Sequence, residues 1–404
     1  MKITFLLNEM HTGGGVRVVF EYANRLQKRN HQVSIVYPAI NLARLKTLSL
    51  GAFVLELVTL CVQNTIRRGH QQPFDTTSPL IKVPVLYPRF MKFIEQSIPD
   101  ADVIVATAWE TAYAVNELGT DKGEKLYFVQ HYEIWDFWND RACWKEARKL
   151  KRGDEKCSLA MAAVTPKKKS LKKSKELVDR SFKLPLRKIT IAEWLRHLIE
   201  DKFGELVEGV IPNGVNFDIF FREGSHREES REVNVLMPYR PMAWKGFDDG
   251  LDAFERIRIR HPNTHFTVFG HRPRVLARLR KLPEWIEFHD SMSDADLRAL
   301  YNEAHIFVLP SWIEGFPLPP MEAMACGCAV VTTDAGGVSD YLKNGETALI
   351  VPIQNPAALA QSVCRLIEDK DERLRVAENG CRFIKQFTWE KSTQRLIECI
   401  NRDI

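Results

Sequence analysis

The sequence predicts an α/β protein of two doubly wound domains, each built on a mostly parallel sheet. Three observations lead there. The chain has 404 residues, more than one ordinary domain holds. Short apolar runs alternate with helical patterns, the signature of βαβ units. A Pro/Asn/Gly turn, Ile211-Pro212-Asn213-Gly214-Val215, precedes a polar stretch over residues 222–231 and suggests the boundary.

In the N-terminal half, residues 2–7 read as a strand and Gly13-Gly14-Gly15 as a turn. Residues 16–29 read as a helix, with Val16, Val19, Phe20, Ala23 and Leu26 at helical spacing. Residues 33–36 complete a βαβ unit. Buried strands are expected at 102–106 and 126–129, ending at Thr107-Ala108-Trp109 and Gln130-His131-Tyr132. In parallel sheets those carboxyl ends carry the ligand chemistry. In the C-terminal half, strands are expected at 233–237, 265–269, 286–289, 306–309, 329–332 and 348–351, with helices over 294–303 and 356–368 between them.

Composition narrows the class. The chain is 45% apolar and 27% charged, as globular proteins are. Its eight cysteines include no Cys-x-x-Cys pair and no zinc-spaced Cys/His cluster, so reduced buried thiols in a cytoplasmic protein are expected. The first apolar run ends at Asn8-Glu9, too early for a signal sequence, and no run reaches membrane-spanning length. Residues 145–188, from Lys145 to Lys188, hold 16 Lys and Arg against 5 Asp and Glu, while the whole chain is only +5. Such a block is either a solvated face or the contact for an anionic partner, with the lipid surface of a membrane the leading case. No motif of nucleic-acid binding accompanies it, so no nucleic-acid partner is expected.

Two constellations carry chemistry. After the strand at 306–309 comes Ser311-Trp312-Ile313-Glu314-Gly315-Phe316-Pro317-Leu318-Pro319-Pro320-Met321-Glu322. Pro319 and Pro320 suit the first turn of a helix, where a missing N–H costs nothing. Glu314 is expected on the loop and Glu322 within that first turn, both facing one crevice. Carboxylates accept hydrogen bonds only and so suit polyhydroxylated ligands. The plainer reading is a helix start enriched in acids for its dipole. After the strand at 233–237 comes Arg240-Pro241-Met242-Ala243-Trp244-Lys245-Gly246. Two cations on such a loop would clamp a diphosphate. They are equally readable as exposed basic residues on a turn. The three glycines at 13–15 fit neither the dinucleotide-binding nor the P-loop pattern.

Together, Arg240, Lys245-Gly246, Glu314-Gly315-Phe316 and Glu322 resemble glycosyltransferase family 4, the glycosyl transferases of group 1. The opening Gly14-Gly15-Val16, the boundary turn, Gly336-Gly337-Val338 and the final Phe387-Thr388-Trp389-Glu390 extend the likeness over nearly the whole chain. The resemblance implies the GT-B fold, two Rossmann-like doubly wound domains facing a central cleft. Residues 1–212 would form the acceptor-side domain and 213–386 the nucleotide-sugar domain. A last helix over 387–404 would pack back on the first domain.

The resemblance also implies roles. Arg240 and Lys245 would neutralise the donor diphosphate, and Glu322 would accept from the ribose. Glu314 with Gly315, Phe316, Pro317 and Leu318 would hold the donor sugar. Gly14 and Gly15 would approach the phosphates, His131 would orient the sugar or stabilise charge, and Asp290 marks where the base is held. The sequence departs from the family pattern at Pro317, where glycine is usual and one N–H is lost, and at Ala192, where serine is usual. The implied activity is retaining transfer of a hexosyl or deoxyhexosyl group from a nucleotide-diphosphate sugar to a glycan or lipid-linked acceptor. That use belongs with cell-surface polysaccharide or glycolipid assembly. No cofactor or metal is expected, since Arg240 and Lys245 can supply the positive charge. Tyr132, Trp135, Phe137 and Trp138 stand as stacking platforms for sugar rings or as core. The rival readings are a sugar-nucleotide epimerase, a phosphorylase, and a non-catalytic nucleotide-sugar-binding scaffold. A cytoplasmic location is expected, with the basic block placing the protein peripherally at the inner face of the cell membrane.

Overall fold

The computed structural model describes residues 1–41, 74–86, 91–151, 155, 157–166, 168–224, 232–271 and 282–401. The chain divides into two compact units. Met1–Phe137, Ala142–Pro212 and Trp389–Ile404 form the first; Trp138–Arg141 and Asn213–Thr388 form the second.

The first unit holds strands β1 (Lys2–Leu6), β2 (Gln32–Asn41), β3 (Leu80–Leu86), β4 (Val103–Ala106), β5 (Glu124–Val129), β6 (Arg187–Thr190) and β7 (Gly209–Val210). They lie in the order β3-β2-β1-β4-β5-β6-β7, all pairs parallel. All four residues of β4, Val-Ile-Val-Ala, are buried, as a strand covered on both faces requires. The helix Gly14–Lys28 buries Val16, Val19, Phe20, Ala23 and Leu26 against this sheet, and the spacing of those residues is the reason it is a helix. Gly14 and Gly15 are its first two residues rather than part of a preceding turn.

Strands β3, β6 and β7 are not evident from apolar runs. β6 opens on two cations, each neutralised by tertiary partners. Arg187 binds Glu208 and Glu124. Lys188 Nζ donates to the carbonyls of Leu184 and Leu186 and to Glu205. The helix Trp389–Ile400 belongs to this unit. Its Trp389 ring meets Tyr22 edge-on, and Arg25 and Arg29 bind Glu390 and Gln394.

Of the four aromatics following β5, Tyr132, Phe137 and Trp138 are fully buried and serve as core; only Trp135 is partly exposed. The basic block is equally uneven. Lys175 is buried between the Ala162 carbonyl and Asp179. Lys145, Arg148, Lys149 and Lys151, together with Lys168, Lys169, Lys172 and Lys173, are exposed. Most of these lie on two helices, Arg141–Leu150 and Lys169–Ser181, whose opposite faces bury Trp144, Ala147, Leu171 and Val178. Among the described residues no helix is long and apolar enough to cross a membrane.

The second unit holds β8 (Asn234–Tyr239), β9 (His265–Gly270), β10 (Ile286–Asp290), β11 (Ile306–Leu309), β12 (Ala329–Thr333) and β13 (Leu349–Val351). Their order is β10-β9-β8-β11-β12-β13, again all parallel. Its core joins Val235, Met237, Val268, Val308 and Val331, which share one face of the sheet, with Phe254 and Val363 of the helices Phe247–Arg260 and Pro356–Glu368 that cover that face. The helix Asp294–Glu303 starts where the Ser293 hydroxyl accepts from the Asp296 N–H, and Pro356–Glu368 starts likewise at Asn355.

Each sheet begins at its centre, winds to one edge, then returns and winds to the other. The strand order therefore reverses between β1 and β4 and between β8 and β11. Loops diverge at such a point and leave a crevice at the carboxyl ends.

Candidate active site

The loops after β8 and β11 flank the switch point of the second unit. They carry Arg240–Gly246 and Pro310–Pro317, and the fold fastens them together. The Trp312 N–H donates to the Trp244 carbonyl at 2.6 Å. Gly246, left-handed at φ 63°, lies so close to the Pro310 carbonyl that a Cβ there would sit 1.9 Å from its oxygen. Trp312 is anchored in turn by its indole N–H, which donates to Asp249 at 2.6 Å. Burial raises the Asp249 carboxyl above its ordinary range, and the indole hydrogen bond opposes that rise.

This arrangement unites Lys245 and Glu314, 69 residues apart in sequence. Lys245 Nζ lies 2.8 Å from each carboxylate oxygen. The Ser311 hydroxyl donates to Glu314 Oε1 at 2.7 Å. The Glu314 side chain is about 10% exposed and that of Lys245 about 23%. The Glu314 backbone is held as well: its N–H donates to the Ala335 carbonyl, and its carbonyl accepts from the Gly337 N–H. Gly337 packs directly on the Gly315 carbonyl, where no Cβ fits.

Glu322 is the fifth residue of the helix Leu318–Ala325, one residue beyond the first turn in which the sequence placed it, because the helix begins at Leu318 rather than at the prolines. It is buried, and the Tyr301 hydroxyl donates to its Oε2 at 3.1 Å. Both glutamates act on buried Tyr341, whose hydroxyl is pushed well above its ordinary range by burial first and then by Glu314, Asp340 and Glu322. Tyr341 donates to the Pro317 carbonyl, and its ring packs on Phe316 at 4.8 Å. The Phe316 ring is therefore a support for the loop; its carbonyl accepts from the Asn213 amide at 3.1 Å. Leu318 is buried at the helix start.

Of the remaining candidates, Arg240 and Asp290 lie in the second unit, and Gly14, Gly15 and His131 in the first. Arg240 is exposed and its guanidinium donates to the Tyr239 carbonyl rather than to Glu314. Asp290 ends the edge strand β10, two strands from β8, and accepts from the Ser291 hydroxyl at 2.8 Å. In the first unit, Gly14 and Gly15 open a helix at the end of β1, with Gly15 beside the Gln130 side chain. His131 follows β5; its Nδ1 is 3.1 Å from the Tyr132 carbonyl oxygen, and its ring lies against Trp135 and Trp194.

Sequence reading missed four supporting residues. Ser311 stands three residues before Glu314, a spacing that offered the only local hint. Tyr301, Asn213 and Gly337 reach the site from distant segments; Asn213 and Gly337 belong to turns that carry the family likeness, but their contacts here arise only from the fold.

Residues 219–383 match the family model of glycosyl transferases group 1. The D-inositol 3-phosphate glycosyltransferase of Corynebacterium glutamicum is 33% identical over 116 residues, 29% of this chain and 28% of that protein. Curated relatives are matched over half or less of their own length. Among solved structures, sucrose-phosphate synthase from Thermosynechococcus elongatus superposes with a TM-score of 0.69 at 15% identity over 98% of both chains. HepE from Anabaena, in complex with UDP-glucose, superposes with a TM-score of 0.65 at 17% identity, also over 98% of both. The fold is accordingly GT-B.

Proposed function

We propose that the chain is a retaining glycosyltransferase of family 4 that moves a hexosyl or deoxyhexosyl group from a nucleotide-diphosphate sugar to a glycan or lipid-linked acceptor. The observation that carries this reading is the Lys245–Glu314 pair at the switch point, with Glu322 buried on the helix that the same loop opens. An ammonium for a diphosphate, a carboxylate for sugar hydroxyls and a second carboxylate for a ribose diol are what a nucleotide sugar asks of a protein. The match of residues 219–383 and the UDP-glucose bound by HepE support it.

In this reading Lys245 and Arg240 neutralise the leaving diphosphate, with Arg240 released from its own carbonyl to do so. Neither role calls for a metal or cofactor. Glu314 and the N–H groups of Gly315, Phe316 and Leu318 hold the sugar; Pro317 has none to offer. Glu322 accepts from the ribose and Asp290 marks the base end. Gly14 and Gly15 present backbone N–H groups at a helix start, where the dipole favours an anion. His131 orients the sugar or stabilises charge. The anomeric C–O bond to the diphosphate breaks and the acceptor oxygen enters on the same face. The departing phosphate takes the acceptor proton. Positioning and fixed charge do most of the catalysis.

A screen of UDP-, GDP- and dTDP-sugars tests the proposal. One donor should stabilise the protein and be slowly hydrolysed; a ligand at a hundred times its Kd adds about 2.7 kcal/mol. Absence of binding by every donor would remove the reading. Binding without turnover in the presence of lipid and glycan acceptors would favour a scaffold.

Two finer predictions follow from particular residues. Tyr301→Phe should weaken binding of the selected nucleoside diphosphate by roughly threefold to tenfold, about the net worth of one ordinary hydrogen bond. The 2′,3′-dideoxy analogue should bind both proteins equally, since it offers Glu322 nothing; equal losses for both nucleotides would mean that Tyr301 only supports the fold.

The exposed lysines are proposed to hold the protein peripherally at the inner face of the cell membrane, where an acceptor anchored in lipid would lie. Changing Lys168, Lys169, Lys172 and Lys173 to Gln should lower affinity for phosphatidylserine vesicles by at least about a hundredfold, at roughly 1 kcal/mol per lysine. Unchanged sedimentation with the vesicles would refute the membrane contact.

A further inference from the structure

We infer that the Lys245–Glu314 ion pair makes the site discriminate a sugar-bearing nucleotide from the bare nucleoside diphosphate, and so favours release of that product. The inference rests on the donor-site reading above.

The pair is closed. One ammonium sits 2.8 Å from both oxygens of the carboxylate, and Ser311 donates to one of them. An anion that needs Lys245 must take it from Glu314. The backbone cannot open the pair, because both loops are fixed. Gly246 lies against the Pro310 carbonyl, and Gly337 lies against the Gly315 carbonyl. The Trp312 N–H to Trp244 and Glu314 N–H to Ala335 bonds pin each loop to its neighbour. Only the side chains can part. Lys245, with its four-carbon stem and the greater exposure of the two, is the partner that moves. Glu314 stays where it is.

The two nucleotides then meet different sites. A bare diphosphate draws Lys245 away and leaves a nearly buried carboxylate with Ser311 alone, beside the incoming negative charge. A buried charge stripped of its counter-ion is costly. A nucleotide sugar draws Lys245 away and returns sugar hydroxyls to the same carboxylate oxygens, which accept from them. Specificity is the difference between these two affinities, and the penalty on the sugarless form supplies it. Once the sugar has left, Glu314 competes again for Lys245, and the pair closes behind the departing diphosphate. Glu314 is thus a ligand for the sugar and a rival for the phosphate.

Calorimetry on Glu314→Gln tests this, because the amide keeps the shape and removes the rivalry. The probes are the nucleoside diphosphate of the selected donor, inorganic pyrophosphate, and the donor itself. The expected result is at least fivefold tighter binding of the diphosphate and of pyrophosphate, with the donor bound no tighter than by the wild type. A residue that merely supported the fold would weaken all three. Ser311→Ala should act in the opposite direction, weakening the bare diphosphate more than the donor, since it strips the abandoned carboxylate of its last side-chain donor. Wild-type binding of the diphosphate with no gain in Glu314→Gln, at unchanged melting temperature, would overturn the inference and leave the donor reading standing. No binding of any probe by the wild type would overturn both.

Discussion

Lys245→Ala is expected to reduce sugar transfer by about 10²–10³-fold, the usual cost of losing one preorganised group that meets developing charge. The donor should also bind more weakly. The effect is large because Lys245 is the only cation among the described residues that lies on the Glu314 carboxylate. Arg240 cannot replace it from its place on the Tyr239 carbonyl without leaving that bond. The substitution also leaves Glu314 with only the Ser311 hydroxyl as a side-chain donor, so some stability should go with the activity. Initial-rate assays with the selected donor, paired with thermal melts, separate the two losses. Transfer within a few-fold of wild type would mean that the diphosphate charge is met elsewhere.

Gly246→Ala should do comparable damage by a purely steric route. An L-residue at φ 63° costs roughly 1–2 kcal/mol by itself. The new methyl would also overlap the Pro310 carbonyl oxygen at 1.9 Å, and overpacking of that kind adds roughly 1–3 kcal/mol. Relief requires the two loops to move apart, which breaks the Trp312–Trp244 hydrogen bond and separates Lys245 from Glu314. The expected outcome is a melting temperature lower by roughly 5–15 °C for a unit of this size, with transfer nearly lost. Gly250→Ala serves as a comparison, because it sits in a helix without the left-handed φ and its Cβ would meet the Met237 side chain and the Pro310 ring rather than a backbone carbonyl. A Gly246→Ala protein with normal melting and normal rates would show that the two loops are not rigidly joined.

The strands with long apolar runs were legible, and for one reason. Val103–Ala106, Ile306–Leu309 and Ala329–Thr333 are buried on both faces, so every position is apolar or small and the run announces itself. β6 was not legible, since it opens with Arg187 and Lys188, and their neutralising partners lie as far off as Glu124 and Glu205. The stretch after β5 misled in the other direction. Tyr132 and Trp138 have polar edges and sit beyond a strand's carboxyl end, as ligand platforms do. Burial turned them inward, and the Tyr132 hydroxyl is satisfied by Asp179. In the basic block, charge counted along the chain could not show that Lys175 and Lys188 point into the protein.

Local patterning marked the apolar strands and the amphipathic helices between them, though not β3, β6 or β7, and so put Lys245, Glu314 and Glu322 in the segments that follow β8 and β11. Those properties follow from local periodicity, which reports the face that each element buries. Only the tertiary structure decided that β8 and β11 are neighbours, that Glu314 accepts from both Lys245 and Ser311, and that Tyr301 holds Glu322. Each of those contacts depends on which buried faces meet. Strand pairing between segments some seventy residues apart decides it, and no local pattern records that choice.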